Sequence, residues 1–265
     1  MCPERIVCLT EETTETLYLL EEDWRIVGIS GYTERPPRAK EEKAIVSAYT
    51  TAQIEKIVKL QPDLVLGFSD LQGDIAAELI KRGISVHVFN QRTVAGIFQM
   101  VRILGGMIGC TDRSDELVCR LESHLDEVRI VGQSFKTRPR VLFEEWDDPL
   151  ISGISWVSEL IELAGGEDCF SELSSESLAK NRIVDDLQQV VTRRPDIIIG
   201  SWCGKPFQPE KVVARPGWKE VPAVVNGQLH ELPASLILQP GPAPLTDGVA
   251  EMQRIFRNWD SEFKS

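Results

Sequence analysis

The sequence predicts two Rossmann-like α/β lobes, each built on a central parallel sheet, joined by one long rigid helix, with a ligand cleft between the lobes. Three observations predict this. Residues 54–68 (IEKIVKLQPDLVLGF) and residues 187–201 (LQQVVTRRPDIIIGS) repeat one pattern at an offset of 133 positions. In each copy a segment of helical period ends before Pro-Asp, and a short apolar run follows, as expected of a helix feeding a buried parallel strand. Each copy is also preceded by a strand-like opening: Arg5–Leu9 leads into the helix-like Thr14–Leu20, and Arg140–Phe143 leads into Ser155–Ala164. Finally, the stretch from Asp112 to Gly132 places Leu117, Leu121, Leu125 and Val128 three or four residues apart. That stretch has an amphipathic helical period and lacks the Gly/Ser/Pro content of a flexible linker.

Taken in order, the first lobe spans residues 1–110. Its strands are 5–9, 26–29, 64–67 and 85–89, with a helix over 74–82. The linking helix spans 111–136, and Asp112 or Ser114 can cap its start. The second lobe spans 137–265. It closes with a helix from Leu245 to Trp259, entered through Pro240-Gly-Pro-Ala-Pro244, since proline is well tolerated in a first helical turn.

Composition narrows the function. The 265 residues are 42% hydrophobic and 26% charged, the balance of an ordinary globular protein with room for two cores. The net charge of −12 and the lack of a Lys/Arg stripe exclude a phosphate-tracking nucleic-acid binder and adhesion to anionic lipid. No stretch approaches the ~20 apolar residues of a membrane span. A strand begins almost at once, with no leader-like segment before it, so the expectation is a cytoplasmic protein, periplasmic or extracellular only if a leader was removed; a monomer is expected. The six cysteines (2, 8, 110, 119, 169 and 203) show no two-residue spacing and are expected to be reduced thiols, not a zinc or redox motif.

Ligands of open α/β sheets bind at the carboxyl ends of the strands. There the sequence places Thr10-Glu11-Glu12-Thr13, Tyr32, and Phe68-Ser69-Asp70 in the first lobe. In the second it places Glu144-Glu145-Trp146-Asp147-Asp148-Pro149 and Ser201-Trp202-Cys203-Gly204-Lys205. Tyr32, Trp146 and Trp202 are large aromatics on turns; they either stack on a flat ligand or pack beneath their loops. The four carboxylates of 144–148 could hold a hard cation, accept hydrogen bonds from ligand amides, or sit solvated in a loop. The expectation is a ligand-facing role for one or two of them and no dedicated metal site. His87 reads as a core residue and His124 as a surface one, leaving Cys203 and His230 as the soft or imidazole groups nearest a metal-bearing ligand. None of the strand–helix nucleophile, phosphate-loop, dinucleotide or zinc-protease motifs occurs, so no catalytic residues are expected.

RIVCLTEETTETLYLL, VGISGYTERPP and IEKIVKLQPDLVLGF resemble the substrate-binding proteins of ABC importers that join two lobes by one long helix and carry cobalamin, haem or iron-siderophores. Within that class the segments most resemble cobalamin-binding members. EEWDDPLISGISWVSELIELAGG and GSWCGKPFQPE are similar to a cobalamin-binding subgroup that often lacks an export signal. The resemblance implies non-catalytic binding of a cobalt corrinoid, cobalamin or cobinamide, with no other cofactor required. The role implied is that of a substrate-binding protein or a cytoplasmic holder or sensor. It puts Tyr32 at the place of a ligand-stacking tyrosine and Phe68 at that of a cleft-wall tryptophan. The expected ligand residues are Thr10, Tyr32, Phe68, Glu145, Trp146, Asp147, Trp202 and Cys203. Transport members of the class also carry a glutamate on a helix of each lobe that pairs with permease arginines. Glu55 fits the first position, whereas Gln188 occupies the second and offers no full charge, which implies weakened docking to an ABC permease. The alternatives are another tetrapyrrole or an iron-siderophore as cargo, or a tetrapyrrole-handling enzyme such as a metal chelatase.

Overall fold

A computed structural model describes residues 2–262. They fall into two compact units, one of residues 2–91 and 95–121, the other of 92–94 and 122–262.

The first unit is a six-stranded sheet. Its strands are β1 (Ile6–Cys8), β2 (Ile26–Ser30), β3 (Ala44–Ala48), β4 (Thr51–Ala52), β5 (Leu64–Phe68) and β6 (Val86–Phe89), in the order β4-β3-β2-β1-β5-β6. All pairings are parallel except β3 with β4. Helices α1 (Glu11–Leu19), α2 (Ile54–Lys59) and α3 (Gly73–Lys81) cross between the strands. The central strands are buried on both faces, so Ile6, Val7, Val65 and Leu66 have no exposed surface.

The second unit holds β7 (Arg140–Asp147), β8 (Leu150–Ser152), β9 (Glu167–Asp168), β10 (Ile197–Gly200) and β11 (Leu229–Glu231), ordered β11-β10-β7-β8 with β9 also on β7. Leu142, Ile198, Trp202, Phe207 and the fully buried Trp218 share one apolar cluster there.

The Pro-Asp repeat has a physical cause in both units. Asp63 accepts hydrogen bonds from the backbone N–H groups of Glu4 and Arg5 at 2.8 and 3.0 Å, so its carboxylate fixes the start of β1 beside β5. Asp196 accepts from the N–H of Arg140 at 2.9 Å and from its guanidinium at 3.0 Å, fixing β7 beside β10. The helix preceding each copy ends in a residue with left-handed backbone, Gln61 (φ 48°) and Arg194 (φ 51°), which turns the chain into the strand.

Helix α4 (Val94–Ile108) is followed by α5 (Thr111–Gln133), the long helix expected from the apolar spacing. The division between the two units falls inside α5, after Leu121. Leu117, Val118 and Leu121 are buried in its first half, Leu125 and Val128 in its second. In the second unit it lies against the end of α6 (Ser155–Leu163), where a side chain on Gly132 would come within 2.8 Å of the Gly165 backbone. The described residues end on α9 (Asp247–Glu262), preceded by α7 (Gln188–Arg193) and α8 (Pro209–Val213). Among the described residues no helix is long and apolar enough to cross a membrane.

Candidate functional sites at the strand ends

At the carboxyl end of the first sheet, β1 runs almost directly into α1. The TEETTE run has no apolar period, and the expectation of a helix from residue 14 misses its first turn, which begins at Glu11. Hydroxyl groups fasten that turn: Thr13 and Thr14 donate to the Thr10 carbonyl, and Thr16 donates to that of Glu12 at 2.7 Å. Thr10 is buried, and its hydroxyl donates to Glu12 at 2.6 Å. Glu11 accepts the N–H of Glu34 at 2.8 Å, from the loop after β2, and Glu15 pairs with Arg35 at 2.7 Å. Burial pushes the Glu11 carboxyl up to about 8 and that of Glu12 up to about 7.

The other first-unit candidates separate by exposure. Tyr32 is 59% exposed, whereas Phe68 at the end of β5 is buried. Behind Phe68 a buried amide, Gln72, accepts the Phe68 N–H at 2.9 Å and donates to the Tyr49 carbonyl at 2.7 Å. It ties the ends of β5 and the β3–β4 turn together, and nothing in the sequence pattern marks it out.

In the second unit the acidic run 144–147 is not a loop. It is the end of β7, paired antiparallel with β8, with Asp147 opposite Leu150. Each of its three carboxylates meets a cation. Glu144, with no exposed surface, pairs with Arg215 and accepts the Trp202 indole N–H at 3.2 Å. Glu145 pairs at 2.6 Å with the buried Arg182, which also donates to the carbonyls of Ser152 and Glu176. Asp147 pairs with Lys205 and lies 3.9 Å from the Lys211 ammonium. Burial pushes the Glu144 carboxyl above the ordinary range in spite of Arg215. At Asp147 burial also opposes ionisation, but the Lys205 hydrogen bond and charge outweigh it and hold the group low.

The aromatic groups join the same network. Lys205 sits 3.8 Å from the Trp146 ring centroid and 5.2 Å from that of Trp202. Trp146, partly buried, donates its indole N–H to the Asp148 carbonyl at 2.9 Å. Trp202 is 3% exposed and meets Phe207 edge to face at 5.0 Å, so it is a core residue of this unit as well as a neighbour of Glu144. Cys203 is exposed beside it. His230, on β11, lies 3.0 Å from the Gln228 side chain. Among the described residues no cluster of three or more His, Cys, Asp or Glu groups could hold a metal ion.

Glu144, Trp146, Asp147 and Trp202 are therefore brought into one network with Lys205, and Lys211 and Arg215 are the partners that sequence reasoning missed. Glu145 is satisfied separately by Arg182. On the helix faces, Glu55 in α2 is exposed and pairs with Arg82 at 2.8 Å, and Gln188 is exposed as the first residue of α7.

Residues 6–236 match the periplasmic binding protein family. An ABC transporter substrate-binding lipoprotein of Bacillus subtilis, itself uncharacterised, is 25% identical over 264 residues, covering 94% of this chain and 79% of its own. A vitamin B12-binding protein of Vibrio campbellii is 25% identical over 249 residues (89% and 84%). A cobalamin-binding protein of Halobacterium salinarum is 22% identical over 268 residues (97% and 70%). Among solved structures, the periplasmic vitamin B12-binding protein of Vibrio cholerae superposes with a TM-score of 0.75 at 23% identity, covering 97% of this chain and 98% of its own. A periplasmic heme-binding protein from Roseiflexus reaches 0.82 at 20% (97% and 99%). These relatives correct the expectation of a cytoplasmic protein: lipoprotein and periplasmic members of the family point to an extracytoplasmic location.

Proposed function

The chain belongs to the periplasmic binding protein family, and from that premise we propose that it is a non-catalytic substrate-binding protein whose cargo is a cobalt corrinoid, cobalamin or cobinamide. The observation that carries the reading is the set of relatives named for vitamin B12 or cobalamin, from bacteria and an archaeon, each aligned over about nine-tenths or more of this chain. The corrinoid is cargo in this reading, and no resident cofactor is required.

Tyr32 is the proposed stacking surface of the first lobe. Its ring is exposed on a loop rooted by the Tyr32 N–H to Ser30 Oγ contact at 3.3 Å, so stacking would bury surface that is now in water. In the second lobe Trp146, against Lys205, and the exposed Cys203 are the proposed contacting groups. Trp202, Phe68 and Thr10, all buried, belong to the framework of the strand ends and not to the exposed contact surface. Asp147, engaged by Lys205, acts on the ligand through the donors that ammonium retains, whereas Glu145, held by the buried Arg182, fixes the end of β7.

Delivery to an ABC permease through Glu55 and Gln188 belongs to the same proposal. Glu55 already shares its charge with Arg82, and Gln188 brings only an amide, so docking would be weaker than with two free glutamates. In a strain dependent on this protein for corrinoid uptake, Gln188→Glu should raise uptake; equal uptake by both forms would show that the amide docks adequately. For the cargo, the purified protein is incubated separately with cobalamin, cobinamide and hemin, then passed over a desalting column. A corrinoid absorption spectrum co-eluting with the protein supports the reading. Co-elution of hemin alone contradicts it.

A further inference from the structure

The buried carboxyl groups that follow β1 and those that end β7 are treated differently. At the end of β7 every acidic side chain has a cation: Arg215 for Glu144, Arg182 for Glu145, Lys205 for Asp147. After β1, Glu11 and Glu12 are 2% and 1% exposed, and among the described residues no cation pairs with either. One oxygen of each carboxyl, Glu11 Oε1 and Glu12 Oε2, is buried without a hydrogen-bond partner. So is the hydroxyl of the fully buried Thr33, next in sequence to the Glu34 whose N–H holds Glu11. Three unsatisfied polar groups in one short stretch of structure are costly unless something completes them.

The charges facing the pair are of one sign. Glu11 feels Glu15, Glu34 and Glu12; Glu12 feels Glu15; and Arg35, next in sequence to Glu34, is bonded to Glu15. On the sheet side lies the Cys8 thiol, which burial pushes up to about 12 and whose charge Lys43 would favour. In that setting the two carboxyls hold their protons close to neutral pH, and a protonated carboxyl is both a donor and an acceptor. A primary carboxamide is its complement: the acid O–H donates to the amide carbonyl, and the amide N–H donates to the acid carbonyl. A carboxylate would bring a further negative charge into the same low-dielectric site.

We propose that Glu11 and Glu12 form a specificity element of the first lobe, which accepts carboxamide groups at the rim of a macrocyclic ligand and turns away rims of carboxylates. This rests on the corrinoid reading and deepens it: a corrinoid rim carries amides, a haem rim carries propionates. The loop after β2 gives access. It contributes the Glu34 N–H to Glu11 and carries the exposed Tyr32, and in this proposal a ligand amide takes the place of that N–H.

Titration calorimetry with dicyanocobinamide, with dicyanocobyrinic acid (the same ring with carboxylates in place of amides) and with hemin tests it. The protein is used as the wild type, as the double Glu11→Gln/Glu12→Gln variant and as the double Ala variant. The wild type should bind the amide ring at least tenfold more tightly than the acid ring at pH 6.5, and lose about tenfold of that affinity by pH 9. The Gln variant keeps a donor and an acceptor at each position without a titrating proton. It should retain amide binding and show no loss with pH, and its thermal midpoint controls for folding. The Ala variant should lose the amide preference. Equal binding of the two corrinoids by wild type, or a pH loss persisting in the Gln variant, overturns the inference while leaving the corrinoid reading in place. Binding of hemin with neither corrinoid overturns both.

Discussion

Replacing Arg215 with Met leaves Glu144 as a carboxyl with no exposed surface and no cation, because Arg215 is its only ion-pair partner among the described residues. A group in that position escapes by binding a proton, which caps the penalty. Its ordinary value is 4.5. At pH 7 the cost of staying protonated is at most about 3.4 kcal/mol, and at pH 5 it is under about 1 kcal/mol, at roughly 1.36 kcal/mol per pH unit. The sign follows from the folded-state value being raised: stability is lost as pH climbs above 4.5, and the penalty vanishes below it. The wild type already bears part of this cost, since burial raises Glu144 despite Arg215. The lost stacking of the guanidinium on Trp218, 4.5 Å from its ring, adds about 0.5–1 kcal/mol at every pH. Urea unfolding followed by tryptophan fluorescence reads both parts, because Trp202 and Trp218 sit in the affected core. Arg215→Met should be strongly destabilised at pH 7 and mildly at pH 5, and adding Glu144→Gln should remove most of the difference between the two. A loss that is the same at both pH values would refute the claim that an uncompensated Glu144 is the cause.

Further outcomes can be checked in parallel. Glu11 carries a carboxyl raised from 4.5 to about 8, so wild-type stability should fall as pH rises from about 5 to 8, by about 3 kcal/mol from this group at pH 7. Glu11→Gln should flatten that fall, and superimposable stability–pH curves would contradict it. Tyr32→Ala should leave stability within about 0.5 kcal/mol, because the ring is exposed, yet weaken corrinoid binding by roughly 1–3 kcal/mol; unchanged affinity would place the stacking surface elsewhere. Native-state labelling with a disulfide reagent should modify the exposed Cys2, Cys119 and Cys203 first, whereas Cys8 and Cys169, both pushed up to about 12 by burial, should wait for denaturant. Early modification of Cys8 would show that the β1 region opens readily.

What could be read in the sequence is what depends on short-range pattern. The Pro-Asp repeat located β5 and β10 because a helix stop, an aspartate aimed at the neighbouring strand and an apolar run all lie within fifteen residues. The stripe from Leu117 to Val128 located α5 by its period alone. Polar stretches misled in both directions. TEETTE looked like a loop because its helix is buried on threonine hydroxyls and carboxyls instead of an apolar face. EEWD looked like a loop because its charges are neutralised from 37 to 71 residues away, by Arg182 and Arg215, at distances no local pattern encodes. For the same reason the sequence left Trp202 between stacking on a ligand and packing beneath its loop, and the structure puts it in the core. Location was misjudged because it rested on the start of the chain, while the relatives that correct it resemble the body of the chain.

The central claim is that this chain binds a corrinoid as cargo, and calorimetric titration of the purified protein with cobalamin tests it most directly. The account predicts saturation at one cobalamin per chain, with hemin and a ferric hydroxamate siderophore binding at least tenfold more weakly under the same conditions. No heat with cobalamin or cobinamide, alongside saturable binding of hemin or the siderophore, would contradict it.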